Sequence, residues 1–282
     1  MSHQTTVHET SQGTRAPTEP QTAIVVRTGL SRRVKVGVLQ LIVLITIIGV
    51  WEFLVRTQIV NSFMLAAPSS IAQQTVEWFA DGSIWPHIGA TMVKLGVGYV
   101  IGLVAGVVIG MLAGRTRFFR YYFDVFIVFL NTLPRLVLIP FFIILFGFGN
   151  LPGILITALI VVFLVALNTR AAMEEVKGDF VLNARVLGAN PLQLFRTVFL
   201  PGVALSVLAS ARLAIGLGFQ AAVVAEFFGS PNGLGYLIAA GQQSYNTTQI
   251  YAAIVLTSIL AFILDLLLGR VAKRASRWLP ER

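Results

Sequence analysis

Six long apolar runs alternate with polar stretches along the chain, at about 36–55, 88–113, 123–146, 151–168, 199–225 and 250–269. Each is 18 to 27 residues long, enough for an α-helix to cross the ~30 Å hydrocarbon layer of a bilayer, the fourth with least to spare. The first run follows Arg32, Arg33 and Lys35 as a secretory signal would, but it is too long and no small-residue cleavage site follows. It therefore reads as an uncleaved span. Between the first two runs, Ser69 behind Pro68 opens a helical stretch that Asp81-Gly82 closes, which predicts a short surface helix. Residues 169–198, the longest charged stretch between runs, read as helix–turn–helix around 188–191. The pattern predicts an all-α polytopic membrane protein of about six transmembrane helices. Its divisions are a disordered tail over 1–33, a first transmembrane helix over 34–56, a loop with the short helix over 57–87, a core over 88–270 and a tail over 271–282.

Composition agrees. Of 282 residues, 56% are hydrophobic and 12% charged, against ~25% charged in soluble domains. A conventional soluble enzyme and a disordered scaffold are both excluded. The chain has no cysteine, which excludes disulfides and thiolate chemistry, and its three histidines (His3, His8, His87) form no metal-binding pattern with carboxylates. Net charge is +9, which in a soluble domain would suggest nucleic acid. Here its placement is the message. Seventeen of the 21 Lys and Arg fall in the N-terminal tail, the loop holding Arg115, Arg117 and Arg120, the 169–198 segment and the C-terminal end. All of these lie on one side of a six-span arrangement. The positive-inside rule puts that side, with both termini, in the cytoplasm. The basicity reports topology and implies no nucleic-acid partner.

Within the spans, two ladders of small residues stand out. Gly98, Gly102, Gly106, Gly110 and Gly114 recur every fourth residue in the second run, and Gly202, Ser206, Ser210, Ala214, Gly218 and Ala222 do so in the fifth. Four-residue spacing stacks them on one helix face, where a neighbouring backbone can come close, so both predict helix packing. Four cations remain. Arg56 lies at a span edge, and Lys94, about 9 Å into the second span, is expected to snorkel to the interface. Arg135 and Arg212 lie near mid-membrane, where a charge costs at least ~2.5–3.5 kcal/mol unless paired or wetted. Pro134 and Pro140 predict a kink or break beside Arg135. Arg212, Gly216 and Gln220 share a face away from the small-residue ladder, with Glu226 closing its far end. Two readings stand for the arginines: a translocation pathway, or structural ion pairs and carbonyl clamps. Asp265, near the end of the sixth run, is by depth a poor partner for Arg212.

The 169–198 segment carries a resemblance. Asn183-Ala184-Arg185-Val186-Leu187-Gly188-Ala189-Asn190-Pro191, with Phe195 and Leu200-Pro201, resembles the coupling motif of ABC importer permeases, and Gly188 keeps the motif's interval to Pro201. Ser83-Ile84-Trp85-Pro86-His87, Leu133-Pro134, Phe146-Gly147-Phe148-Gly149, Arg212 through Leu217, and Ala225-Glu226 leading to Gly233-Leu234-Gly235-Tyr236 are similar to its nitrate/sulfonate/taurine-type branch. The likeness spans about 60–270. It departs at Leu182, where the motif has Glu, and at Asn183, where it has Ala.

The resemblance implies a type I ABC importer permease fold with a cytoplasmic coupling helix in the bacterial inner membrane. It implies as partners two ATP-binding subunits, a second copy or homologous permease, and a periplasmic or lipid-anchored substrate-binding protein. Ala184, Arg185, Leu187, Gly188, Ala189, Asn190, Leu200 and Pro201 would meet the ATPase, and Arg135, Arg212, Gly216, Gln220 and Glu226 would line the pathway. The cargo would be a small solute such as a sulfonate, nitrate or carboxylate. No cofactor is expected on this chain. ATP and Mg belong to the partner, since no phosphate-binding Gly-rich loop with Lys-Ser/Thr occurs here. A secondary transporter would bring internal repeats, and a membrane-embedded enzyme a His/Asp or Ser/His constellation at depth; neither is present.

Overall fold

The computed structural model describes residues 30–276 apart from Ser62, Leu133 and Lys177, with the backbone alone at 30–33, 117, 126–132 and 271–276. Residues 1–29 and 277–282, which hold most of the expected N-terminal tail and half of the C-terminal one, lie outside the described residues. The regular structure among the described residues is all helical: α1 (Leu30–Arg56), α2 (Pro68–Ala80), α3 (Ile84–Arg115), α4 (Arg117–Thr132), a 3₁₀ turn (Arg135–Leu138), α5 (Ile139–Phe146), α6 (Asn150–Glu175), α7 (Gly178–Val186), α8 (Pro191–Leu194), a π turn (Phe195–Phe199), α9 (Leu200–Gly229), α10 (Leu234–Gln243) and α11 (Thr247–Ser276). The chain divides after Ile47 into two units. The first contains the opening half of α1, an apolar rod with exposed side chains. The second contains everything that follows.

Five stretches among the described residues are long and apolar enough to cross a membrane: Val34–Arg56, Ile84–Arg115, Asn150–Glu175, Pro191–Gln243 and Thr247–Arg270. The expected third span, 123–146, is not one helix. It is divided between α4, which begins at Arg117, the 3₁₀ turn and α5. The cause is proline: Pro134 is extended (φ −69°, ψ 96°), and Pro140 occupies the first turn of α5, where its missing N–H costs nothing. The sixth span is longer than its apolar run, because α11 continues to Ser276.

The centre of the second unit is α6, flanked by α3 and α9. On one flank the glycine ladder of α3 lies directly on α6: a methyl carbon at Gly102 would stand 2.6 Å from Val161 Cβ and 2.8 Å from the Ala158 carbonyl oxygen. Gly98, Gly106, Gly110 and Gly114 are as tightly covered by Thr157, Val165, Thr169 and Met173. On the other flank, Ser210, Ala214, Gly218 and Ala222 of α9 are buried, whereas Gly202 and Ser206 are only partly so. Gly218 meets the same Val161 and Thr157 side chains. Lipid tails remove the hydrophobic drive between helices, so close van der Waals contact of this kind is what holds them together. The Tyr99 hydroxyl, donating to the Ala211 carbonyl at 3.1 Å, fastens α3 to α9 directly.

At the end where α3 begins, Ile84, Leu234, Leu237, Ala253 and Leu256 form a core between α3, α10 and α11, with Trp78 of α2 against it. The expected serine cap of α2 is absent: its N-cap is Ala67, with no side-chain bond. Glu52 of α1 does the capping, accepting from the Ser69 N–H at 3.0 Å and the Ser69 hydroxyl at 2.7 Å while pairing with Arg56.

Candidate functional site

Helix α9 presents Arg212, Gly216 and Gln220 at four-residue steps on its exposed side, opposite the buried small-residue ladder. The structure distributes them between two grooves. Arg212 and Gly216 line the larger, about 670 Å³, between α9 and α11. Gln220 lines a second of about 370 Å³, shared with Pro134, Arg135 and Ile160. The Arg135 guanidinium lies 3.9 Å from the centre of the Phe163 ring on α6, a cation–π contact. These two grooves hold Arg212 and Arg135 separately.

Asp265 proves to be the partner of Arg212, contrary to its expected depth: its carboxylate stands 3.6 Å from the guanidinium. The extension of α11 to Ser276 moves Asp265 well inside the helix and level with Arg212. Gly269, one turn on, makes room, since a methyl carbon there would lie 3.2 Å from the guanidinium. The side chains are 42% and 64% exposed.

Glu226 does not line the exposed face of α9. It is 1% exposed, and Lys94, expected to snorkel, is 0% exposed. The two meet at 2.9 Å. On α3, His87, Thr91 and Lys94 share one face, and that face receives the loop 230–233. Lys94 donates also to the Asn232 carbonyl at 3.0 Å. Three of the N–H groups at the start of α10, which have no partner within the helix, are met from this network. Gly233 N–H donates to His87 Nδ1 at 3.1 Å, Leu234 N–H to Thr91 Oγ at 3.0 Å, and Gly235 N–H to Glu226 Oε2 at 3.1 Å. Thr91 donates its own proton to Glu226 at 2.9 Å, and His87 stacks on Tyr236. The sequence carries the two halves of this pairing, Lys94 inside the second apolar run and Glu226 just past the same-side end of the fifth, but nothing that joins them.

The Gly188 segment is built from backbone chemistry. Ala189 N–H donates to the Ala184 carbonyl at 3.0 Å and Gly188 N–H to that of Arg185 at 2.9 Å, the double bond pattern that stops a helix when the next residue turns left-handed. Gly188 does so, at φ +81°. Asn190 then starts α8 with a capping box: its side chain accepts from Gln193 N–H at 2.8 Å, and its own N–H donates to Gln193 Oε1 at 2.9 Å. Pro191 takes the first helical position. Pro201, lacking an N–H, follows a π turn in which Leu200 N–H reaches back to Phe195. Leu182 and Leu187 are 61% and 87% exposed, so α7 and its turn offer an apolar surface where the motif has a carboxylate.

A further ion network was not expected. Glu174 accepts from Arg120 at 2.7 Å and Arg170 at 3.1 Å, and Arg170 also pairs with Asp124, joining α4 to the end of α6 just before α7.

A multi-pass helical membrane protein, with a charge-bearing groove between two long helices and a capped turn ahead of one of them, has the architecture of a solute permease. Residues 102–277 match the family pattern described as binding-protein-dependent transport system inner membrane component, and the chain belongs to that family. It is 29% identical over 232 residues to the putative aliphatic sulfonates transport permease protein SsuC of Bacillus subtilis, covering 82% of this chain and 84% of that one. It is 27% identical to the taurine transport system permease protein TauC of Escherichia coli, covering 89% and 92%. The riboflavin transport system permease protein RibX of Chloroflexus aurantiacus is 28% identical, covering 84% and 88%. Among solved structures, the fold is shared with the inward-facing MetNI methionine ABC transporter (TM-score 0.55, 21% identity, 71% of this chain and 97% of that one). It is shared also with a bacterial ABC transporter that imports alginate (TM-score 0.61, 14% identity, 87% and 98%).

Proposed function

We propose that this permease is the membrane-spanning subunit of an ATP-driven importer for a small solute with an anionic head group, of the sulfonate class named for its relatives. The observation that carries this reading is α9 itself. One helical path begins at the capped turn of Gly188–Pro191, passes Arg212 in the groove between α9 and α11 and ends at the buried Lys94–Glu226 pair. Both termini and α7 face the cytoplasm in this reading, as the cation distribution requires. Two ATP-binding subunits, which carry the ATP and Mg, dock on the exposed apolar surface of α7 and its turn. A second copy or a homologous permease completes the pathway, and a binding protein delivers solute at the end holding α2 and α10. Arg212 supplies the charge that an anionic head group meets on its way through.

Affinity purification of the tagged permease from its native membrane tests the partnership. The wild type is expected to retain a stoichiometric ATPase, and Gly188→Val, which forces a branched side chain into φ +81°, to lose it. A purified permease that moves solute into liposomes with no ATPase present overturns the reading. Uptake by the assembled importer is expected to fall at least tenfold in Arg212→Ala.

A further inference from the structure

From Ile48 onward, α1 meets α2 and the first turns of α11 in a groove of about 410 Å³. Ile48, Ile71, Ala72, Val76 and Val255 make its walls apolar. Thr75 brings a hydroxyl, but its proton is taken up by the Ile71 carbonyl at 2.8 Å. Trp51 completes the wall, its ring edge-on to Tyr251 with 6.2 Å between centres. The indole N–H of Trp51 is buried and meets no acceptor among the described residues. A buried donor without an acceptor is costly. The torsion that orients the ring is soft, so a small turn presents the N–H to an acceptor lying in the groove.

One end of the groove is charged. Pro68 lines it, and the adjoining Ser69 donates its hydroxyl proton to Glu52 at 2.7 Å and accepts from Arg56 at 3.3 Å. Arg56 also pairs with Glu52, yet its side chain is 69% exposed. These contacts use two of its five N–H donors. Arg56 stands five residues beyond Trp51, about 7.5 Å further along the helix axis. From membrane depth toward water, the order is therefore an apolar slot, a donor lacking an acceptor, and a guanidinium with donors to offer. A transmembrane helix laid in the slot would bring backbone carbonyls already bonded within itself. A phospholipid brings an acyl chain, an ester carbonyl and a phosphate in that same order, and the phosphate suits the planar guanidinium.

We infer that the α1–α2–α11 groove binds one diacyl glycerophospholipid of the outer leaflet. One acyl chain lies along Ile48, Ile71 and Val255, an ester carbonyl accepts from the Trp51 indole, and the phosphate rests on Arg56. The lipid thereby fastens α2, whose one fully buried side chain is Ile71, to α1 and α11. This goes beyond the importer reading and takes from it only which end of α1 faces outward.

Native mass spectrometry of the permease–ATPase complex, washed free of loosely held lipid in detergent, counts what the groove keeps. The probes are a phosphatidylglycerol and the diacylglycerol with the same chains, which lacks the phosphate. The wild type is expected to hold one phosphatidylglycerol per permease copy and to hold diacylglycerol at least tenfold more weakly. Ala72→Phe, which puts a ring in the slot, should abolish the bound lipid. Trp51→Phe, which keeps a ring but drops the N–H, and Arg56→Gln should each lower occupancy at least threefold. The wild-type comparison of the two lipids needs no variant, so it decides the matter even if Ala72→Phe fails to fold. No retained phospholipid, equal retention of the two lipids, or occupancy that Ala72→Phe leaves unchanged overturns the inference. So does a disulfide joining two copies of Val76→Cys in native membranes, which would seat a second permease in the groove. The importer reading fails by a different sign, the absence of an ATPase from the purified complex.

Discussion

Lys94 and Glu226 lie 132 positions apart in sequence and meet in a site closed to solvent. Removing one partner of such a pair leaves a buried charge with no counter-charge, which costs about 3–5 kcal/mol, whereas replacing both with apolar groups of similar size is far less harmful. Glu226→Leu alone should therefore lower thermal stability in detergent steeply, and Lys94→Met with Glu226→Leu should recover much of the loss. Melting temperatures of the single and double variants check this, and additive losses would contradict it. Local chemistry at the residue scale was readable from the sequence. Gly188, Asn190 and Pro191 each do in the structure what their backbone preferences dictate. Long-range pairing was not readable, because a lysine in an apolar run looks the same whether it snorkels or finds a glutamate. The depth of Asp265 is hidden for a related reason: the apolar run ends well before α11 does, because the helix continues into its basic residues.

Among elements, the α3–α6 contact is the most extensive among the described residues and the most sharply testable. Gly102→Ala would put a methyl group 2.6 Å from Val161 Cβ, an overpacking that costs roughly 1–3 kcal/mol. Gly96→Ala on the same helix meets nothing within 4 Å and serves as the control. Measured in nanodiscs, the melting temperature should fall for the first and hold or rise for the second. Equal effects would mean that helix propensity rather than close approach governs the ladder. Four-residue spacing made this contact legible in advance, because a periodic absence of side chains has one geometric use. The third apolar run was legible only in part. Its prolines announced a break, but hydropathy alone does not say that α4 starts six residues early, at Arg117, within an aromatic stretch whose Arg120 and Asp124 are held by Glu174 and Arg170.

For the whole molecule, the proposed orientation puts α7 and α10 on opposite sides of the membrane. The chain has no natural cysteine, so single cysteines report topology without a background. Leu187→Cys and Tyr245→Cys replace exposed residues in the two end regions. In right-side-out cells, a membrane-impermeant maleimide should label position 245 and spare 187, and inverted vesicles should reverse the result. Labelling of both from one side would refute the arrangement.

The buried pair at Glu226 also sets the mechanics of α9. A beam clamped at one end can move only in an arc about the clamp, with displacement growing in proportion to distance. Glu226 and Leu200 are about 39 Å apart along α9, so a tilt of about 5° about Glu226 carries the end at Leu200 through roughly 3.4 Å and Arg212, nearly midway, through about 1.8 Å. The first is a displacement a docked partner can impose. The second is large relative to the 3.6 Å that separates Arg212 from Asp265. A push at the base of the beam is thereby geared down to the scale of a single ionic contact.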